Sequence, residues 1–212
     1  MNGNFAKVVV LDLDGVILDS ADIKMDAFIA MFAGDDAAIA YLRSNPGRSR
    51  YEKFRHIYEE IRGLPYTPSI EEELNADFTS RVDLAVGTAP WIPGSLEFLE
   101  MTHERIPLYV ASATPDEDLE KIVTSRGLHR LLRGWYGSPT SKATALDEIV
   151  RLNGVNAKEL IFVGDSVSDL RAAEEAMVPF MAFAKSGIFD GGCNPTPHIT
   201  DLRALWEFLV PL

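Results

Sequence analysis

The chain has 212 residues, 47% of them hydrophobic and 25% charged, enough to bury one sizeable core with a small second lobe and too apolar for a disordered or low-complexity protein. Its 32 acidic residues outnumber its 20 basic ones for a formal charge of −12, a field that repels nucleic-acid backbones and anionic membranes, so neither partner is expected. The single cysteine, Cys193, cannot close an internal disulfide, and the four histidines, His56, His103, His129 and His198, lack metal-ligand spacing, so zinc chemistry is not expected.

The N-terminus, Met1 to Lys7, has no positive segment followed by an apolar run, so no signal peptide is expected. Apolar stretches such as Val8 to Leu11 fall far short of the ~18 residues of a membrane span, and a cytoplasmic location is the expectation. Lys7 to Asp12 is a β-branched run ending at a carboxylate, the pattern of a strand buried on both faces of a parallel sheet.

From Ser20 to Trp91 no strand pattern occurs. Met25, Phe28, Ile29 and Phe32 form an apolar stripe at helical spacing. Tyr51, Phe54, Tyr58 and Ile61 predict a second, and Ile70, Leu74, Phe78 and Val82 a third. These stripes predict a small helical bundle at residues 20–91, inserted into an α/β domain of residues 1–19 and 92–212, with Pro90, Pro93 and Gly94 marking the return. The α/β rhythm then runs through strands at Pro107–Ala111, Arg133–Tyr136, Leu160–Val163 and Pro179–Phe183. Between and after them come helices at Pro115–Arg126, Ser141–Asn153, Ser168–Met177 and Asp201–Leu209. The fold expected is a Rossmann-like parallel sheet carrying a small inserted helical domain.

Ligands of open α/β sheets gather beyond the carboxyl ends of strands, and four places there carry chemistry. Asp12-Leu13-Asp14-Gly15 follows the first strand, where two carboxylates on a glycine turn either share a cation such as Mg²⁺ or form only a polar strand end. Ser112 ends a second strand and offers a hydroxyl beside backbone N–H groups, while Thr114, Pro115 and Glu117 fit the N-cap, N1 and N3 of the next helix. Lys142 stands in the first turn of a helix, against the macrodipole, which asks for an anion nearby or marks an exposed surface lysine. Asp165 ends a further strand, and Asp169 has capping-box spacing from Ser166. Cys193 lies in a turn-rich stretch and reads as structural or incidental.

Asp12-x-Asp14-Gly15, Ser112, Lys142 and Gly164-Asp165-x-x-x-Asp169 resemble the four ordered motifs of the haloacid-dehalogenase superfamily, and the helical insert after the first motif resembles its cap. The similarity is greatest to the phosphoglycolate-phosphatase and β-phosphoglucomutase branch, and covers nearly the whole chain. It implies a sheet in which the first strand lies between those bearing Ser112 and Asp165. It also implies that Asp12 attacks phosphorus to form an aspartyl phosphate, and that Asp14 serves as general acid and then general base. Mg²⁺ would be held by Asp12, Asp165 and the Asp14 backbone carbonyl, with Asp169 completing the acidic cluster, while Ser112, the Ala113 N–H and Lys142 hold the phosphoryl oxygens. Gly47-Arg48-Ser49-Arg50 resembles the G-x-S-R of the mutases, which makes Arg50 a candidate substrate contact from the cap.

Asp14 favours ester hydrolysis over dehalogenation, since dehalogenases lack this acid. The mutases carry Glu-Asp where this chain has Gly164-Asp165, and a histidine in the first cap helix where it has Lys24. The expectation is therefore a Mg²⁺-dependent phosphatase of a small phosphorylated metabolite, a sugar phosphate or phosphoglycolate-like ester. The alternatives are a sugar-phosphate mutase and a non-catalytic aspartyl-phosphate switch. A monomer is expected, with a homodimer as the alternative.

Overall fold

The computed structural model describes residues 6–184, 189 and 197–209; Cys193 lies outside them. The strands are β1 (Val8–Leu11), β2 (Leu108–Pro115), β3 (Gly134–Ser138), β4 (Leu160–Gly164), β5 (Phe180–Phe183) and β6 (His198–Ile199). All pair in parallel, in the order β3-β2-β1-β4-β5-β6. Every residue of β1 is buried, as its unbroken Val-Val-Val-Leu run requires of a strand covered on both faces. Val10 stands opposite Tyr109 on one side and Phe162 on the other, which sets the carboxyl ends of β1, β2 and β4 side by side. The chain fills the sheet outward from β1 in both directions, so these ends form its topological switch point.

Helices α7 (Lys142–Asn153) and α8 (Val167–Glu175) cover one face of the sheet. Ala145, Leu146 and Ile149 of α7 meet Val8, Val10, Tyr109, Ala111, Leu160 and Phe162, the alternate residues of three strands. Helix α5 (Ser95–Thr102) and helix α6 (Asp116–Ser125) complete the α/β unit, α6 packing against β2 and β3. Among the described residues, no helix is long and apolar enough to cross a membrane.

The chain divides into two compact units, one of Met1–Asp19 with Pro90–Leu212 and one of Ser20–Ala89. Pro90 and Trp91 go with the α/β unit, where the Asp19 N–H donates to the Pro90 carbonyl at 2.9 Å and Trp91 pairs with Leu18. The second unit contains α1 (Ala21–Met31), α2 (Asp36–Ser44), α3 (Arg50–His56) and α4 (Pro68–Gly87), and α3 runs on into a π-helical turn at Ile57–Ile61. Phe28, Phe54 and Phe78 form its aromatic centre, with the Phe28 and Phe78 rings 4.3 Å apart. Helix starts follow local chemistry: Asp35 caps α2, Ser49 and Glu52 form a capping box on α3, and Thr67 caps α4 with Pro68 at its first position.

Three sequence expectations need correction. On α3 the buried face is Arg50, Lys53, Phe54 and Ile57 rather than Tyr51, Phe54, Tyr58 and Ile61. Two of its members are cations, each lying over a phenylalanine ring: Arg50 over Phe78 and Lys53 over Phe28. Secondly, Thr114 is not a helix cap. Strand β2 pairs as far as Ala111 and, after a register shift, again at Pro115 opposite Ser138, so α6 begins only at Asp116 and has no side-chain cap bond. Finally, the closing helix expected at Asp201–Leu209 takes the 3₁₀ form, over Leu202–Phe208, capped by Asp201.

One local conformation is strained. Helix α8 ends in a Schellman pair, the Val178 N–H donating to the Ala173 carbonyl at 3.0 Å and the Met177 N–H to that of Glu174 at 3.1 Å. This puts Met177 at φ 55, in the left-handed region, where α7 has Gly154 at φ 60 at its own end. The Met177 side chain is 79% exposed and has little packing to lose. Met177→Gly should raise unfolding stability by about 0.5 to 1 kcal/mol, the left-handed strain outweighing the extra chain entropy of glycine. Denaturant titration checks this, and an equal or lower midpoint contradicts it.

Candidate active site

Asp12 directly follows β1, and its N–H extends the ladder by donating to the Val163 carbonyl at 2.9 Å. Its Oδ1 accepts the Leu13 N–H at 2.7 Å, and the chain then turns sharply, the Gly15 N–H donating to the Leu18 carbonyl at 2.8 Å. Gly15 has φ 82, and any side chain there would collide with the Asp165 carboxylate. Gly164, the last residue of β4, has no more room, because a Cβ would collide with Cβ and Cγ of Asp169. The glycines of the first and fourth motifs are thus what the close approach of Asp165 and Asp169 demands.

Lys142 begins α7 and its side chain is only 9% exposed. Its Nζ donates to Asp12 Oδ2 at 2.7 Å and to Asp169 Oδ1 at 2.5 Å, so the anions that its place against the helix dipole asks for are both present. Asp169, fully buried, does two things at once. Its Oδ2 accepts the Ser166 N–H at 3.1 Å and the Ser166 hydroxyl at 2.6 Å, closing the capping box of α8, while its Oδ1 faces Lys142.

The electrostatics follow from burial. Desolvation pushes the Asp12 carboxyl up to about 7; Lys142 pulls it down, while Asp169 and Asp14 add to the rise. Asp165 is raised well above the usual carboxylate range, by desolvation first and then by Asp12 and Asp169. Burial alone would lower the Lys142 ammonium, but attraction and hydrogen bonds from Asp12 and Asp169 outweigh it and hold the lysine charged.

Oxygens of Asp12, Asp165 and Asp169 all lie within 4.8 Å of one another. A cluster of carboxylate oxygens with a single buried ammonium leaves a deficit of positive charge, and an all-oxygen donor set suits a hard divalent cation. The residues therefore fit a cation site. The Asp14 carboxylate is not a member of this group.

Beside it stands β2, where Ser112 and Thr114, both buried, lie in a register shift between Ala111 and Pro115. The Thr114 N–H donates to Ser112 Oγ at 3.1 Å, the Ser112 hydroxyl to Thr114 Oγ1 at 3.0 Å, and the Thr114 hydroxyl to Asp14 Oδ2 at 3.2 Å. Ala113 lies between them, half-buried. Thr114 is the site residue that the sequence reading missed; the signal available was its i+2 spacing from Ser112 on the same strand. The α/β unit thus brings together Asp12, Asp165, Asp169 and Lys142, and joins Ser112 to Asp14 through Thr114. Arg50 belongs to the helical unit, where its guanidinium donates to Asn75 Oδ1 at 2.8 Å and Thr79 Oγ1 at 2.9 Å.

The chain is 24% identical to phosphoglycolate phosphatase of Pseudomonas syringae pv. tomato, over 96% of this chain and 79% of the relative. It is 26% identical to the plasmid protein CbbY of Cupriavidus necator, over 92% and 86%. Its fold is similar to the crystal structure of a predicted phosphoglycolate phosphatase from Haemophilus somnus 129PT, with a TM-score of 0.75, 17% identity and coverage of 98% and 99%. Residues 9–183 match the haloacid dehalogenase-like hydrolase profile, and on that match and the strand-end carboxylates this chain belongs to the haloacid dehalogenase-like hydrolases.

Proposed function

We propose that the chain is a Mg²⁺-dependent phosphatase that hydrolyses a small phosphorylated metabolite, a sugar phosphate or phosphoglycolate-like ester, through an aspartyl phosphate on Asp12. The observation that carries this is the convergence of the Asp12, Asp165 and Asp169 carboxylates on one point with the Lys142 ammonium among them. Asp12, Asp165 and Asp169 would hold the cation, with the Asp14 backbone carbonyl as a further ligand. When bound, the cation offsets the charge of the phosphate ester and favours the ionised carboxylates.

The chain's own residues account for the chemistry. Asp12 attacks phosphorus in line; the bond to the leaving oxygen breaks with its electron pair, and that oxygen takes a proton from Asp14. Water then attacks the aspartyl phosphate and gives its proton to Asp14, the electron pair of the cleaved bond returns to the Asp12 carboxylate, and inorganic phosphate leaves. The Ala113 N–H and Lys142 steady the phosphoryl oxygens as fixed donors, and Ser112 joins them once its hydroxyl turns from Thr114 Oγ1 to the phosphoryl group. The helical unit at Ser20–Ala89 is proposed as a cap that selects the leaving group, with Arg50 as its substrate contact, in a protein of the cytoplasm. Gly164 favours a phosphatase over a mutase, because the side chain that mutases carry at this position has no room beside Asp169.

A phosphate-release screen over small phosphate esters with Mg²⁺ tests the reading. The wild type should hydrolyse at least one ester, chelation of the metal should abolish turnover, and Asp12→Asn should lose all but a trace of it. A wild type inert across the screen, or an Asp12→Asn variant of equal activity, contradicts it. For the cap, Arg50→Ala should lower turnover of the best natural ester about tenfold or more, while that of p-nitrophenyl phosphate changes little, with circular dichroism confirming the fold. Equal loss on both esters would assign Arg50 to support of α4 through Asn75 and Thr79 alone.

A further inference from the structure

Asp14 presents two carboxylate oxygens, and one of them has a defined hydroxyl donor. Its Oδ2 accepts the Thr114 hydroxyl, which in turn accepts the hydroxyl of Ser112. Ser112 is itself fixed, because its Oγ accepts the Thr114 backbone N–H. Each link in this chain has a defined direction, running from the Thr114 N–H through Ser112 and the Thr114 hydroxyl to Asp14.

A hydroxyl donating to one oxygen of a carboxyl group has two effects. It restrains rotation about the bond to the carboxyl, and it leaves the other oxygen as the place for the proton when the group is an acid. Thr114 can act in this way because β2 runs on to Pro115 through a register shift after Ala111, a stretch in which the Ser112 and Thr114 hydroxyls meet. Had the helix begun at Thr114, as the capping pattern in the sequence implies, its hydroxyl would have been spent on the helix N-terminus.

We propose that Thr114 is a positioning residue for the acid and base Asp14, holding Oδ2 so that Oδ1 delivers the proton to the leaving oxygen and later takes it from water. This rests on the phosphatase reading above. Thr114 touches no reacting atom itself; it acts through the orientation of Asp14, and it links that orientation to Ser112 on the phosphate side. Because a well-placed acid or base contributes about 10² to 10⁴ in rate, partial loss of its orientation has a measurable cost.

The test uses Thr114→Val, which keeps the shape and removes the hydroxyl, and Thr114→Ser, which keeps the hydroxyl. In stopped flow with excess p-nitrophenyl phosphate, Thr114→Val should release the first equivalent of nitrophenolate at the wild-type rate, because that leaving group departs without a proton. Later turnovers, which need Asp14 as base, should be about tenfold slower. With β-glycerol phosphate, whose alkoxide needs an acid, the first turnover should itself slow about tenfold while KM stays near the wild-type value. Thr114→Ser should restore both.

A first nitrophenolate equivalent slowed as much as alkyl ester cleavage would put the effect on phosphate binding through Ser112 and overturn the proposal. So would a Thr114→Val variant equal to wild type on both esters, or a Thr114→Ser variant that restores neither. Where the wild type prefers another alkyl ester of the screen to β-glycerol phosphate, that ester takes its place, and a wild type inert across the whole screen overturns the phosphatase reading and this inference with it.

Discussion

The site depends on one buried ion pair network, the Lys142 ammonium bonded to both Asp12 and Asp169. Three carboxylates whose oxygens lie within 4.8 Å of one another repel strongly where water is excluded, and a fixed cation among them makes the arrangement tolerable. Lys142 ties three elements together: the end of β1 through Asp12, the first turn of α7 on which it stands, and the first turn of α8 through Asp169. A lysine at a helix N-terminus is unfavourable in isolation. Here the two carboxylates supply the compensation, and the mutual dependence of these groups follows from burial, since any one removed leaves an uncompensated charge.

Close packing of the acids constrains the backbone around them. Asp165 lies where a side chain of residue 15 would be, and Asp169 where one of residue 164 would be. Both positions are therefore glycine, and Gly15 also takes the positive φ of the turn after Asp12. The sheet order brings these pieces together without long-range side-chain contrivance. With β1 between β2 and β4, the strand ends carrying Asp12, Ser112 with Thr114, and Asp165 are adjacent by topology.

Much of this was legible in the sequence because the signals were local and periodic. Unbroken apolar runs marked β1 and β4, and the order of Asp12, Ser112, Lys142 and Asp165 at strand ends and a helix start marked the site. What stayed hidden was set by tertiary pairing. Thr114-Pro115-x-Glu117 is sound capping chemistry, yet the pairing of Pro115 with Ser138 draws the segment into β2, and Asp116 turns its Oδ1 to the Gly137 N–H at 2.7 Å. The buried face of α3 was equally concealed, since a hydrophobic count passes over Arg50 and Lys53, whose charges lie on phenylalanine rings. Asp169 had been legible as either a cap or a member of the acidic cluster; its two oxygens serve both.

The formal charge of −12 by itself opposes an anionic substrate. Part of it is gathered in the buried cluster, where Lys142 and a bound cation would make the local field attractive to phosphate while the surface stays negative. The central claim is that Asp12 is the group that takes up the phosphoryl moiety. The most direct test is acid quenching of the enzyme during turnover of an ester it hydrolyses with Mg²⁺, followed by peptide mass spectrometry. A phosphoryl adduct on the peptide bearing Asp12, absent from Asp12→Asn, is the predicted result; turnover with the adduct on another residue, or persisting in Asp12→Asn, would contradict the account.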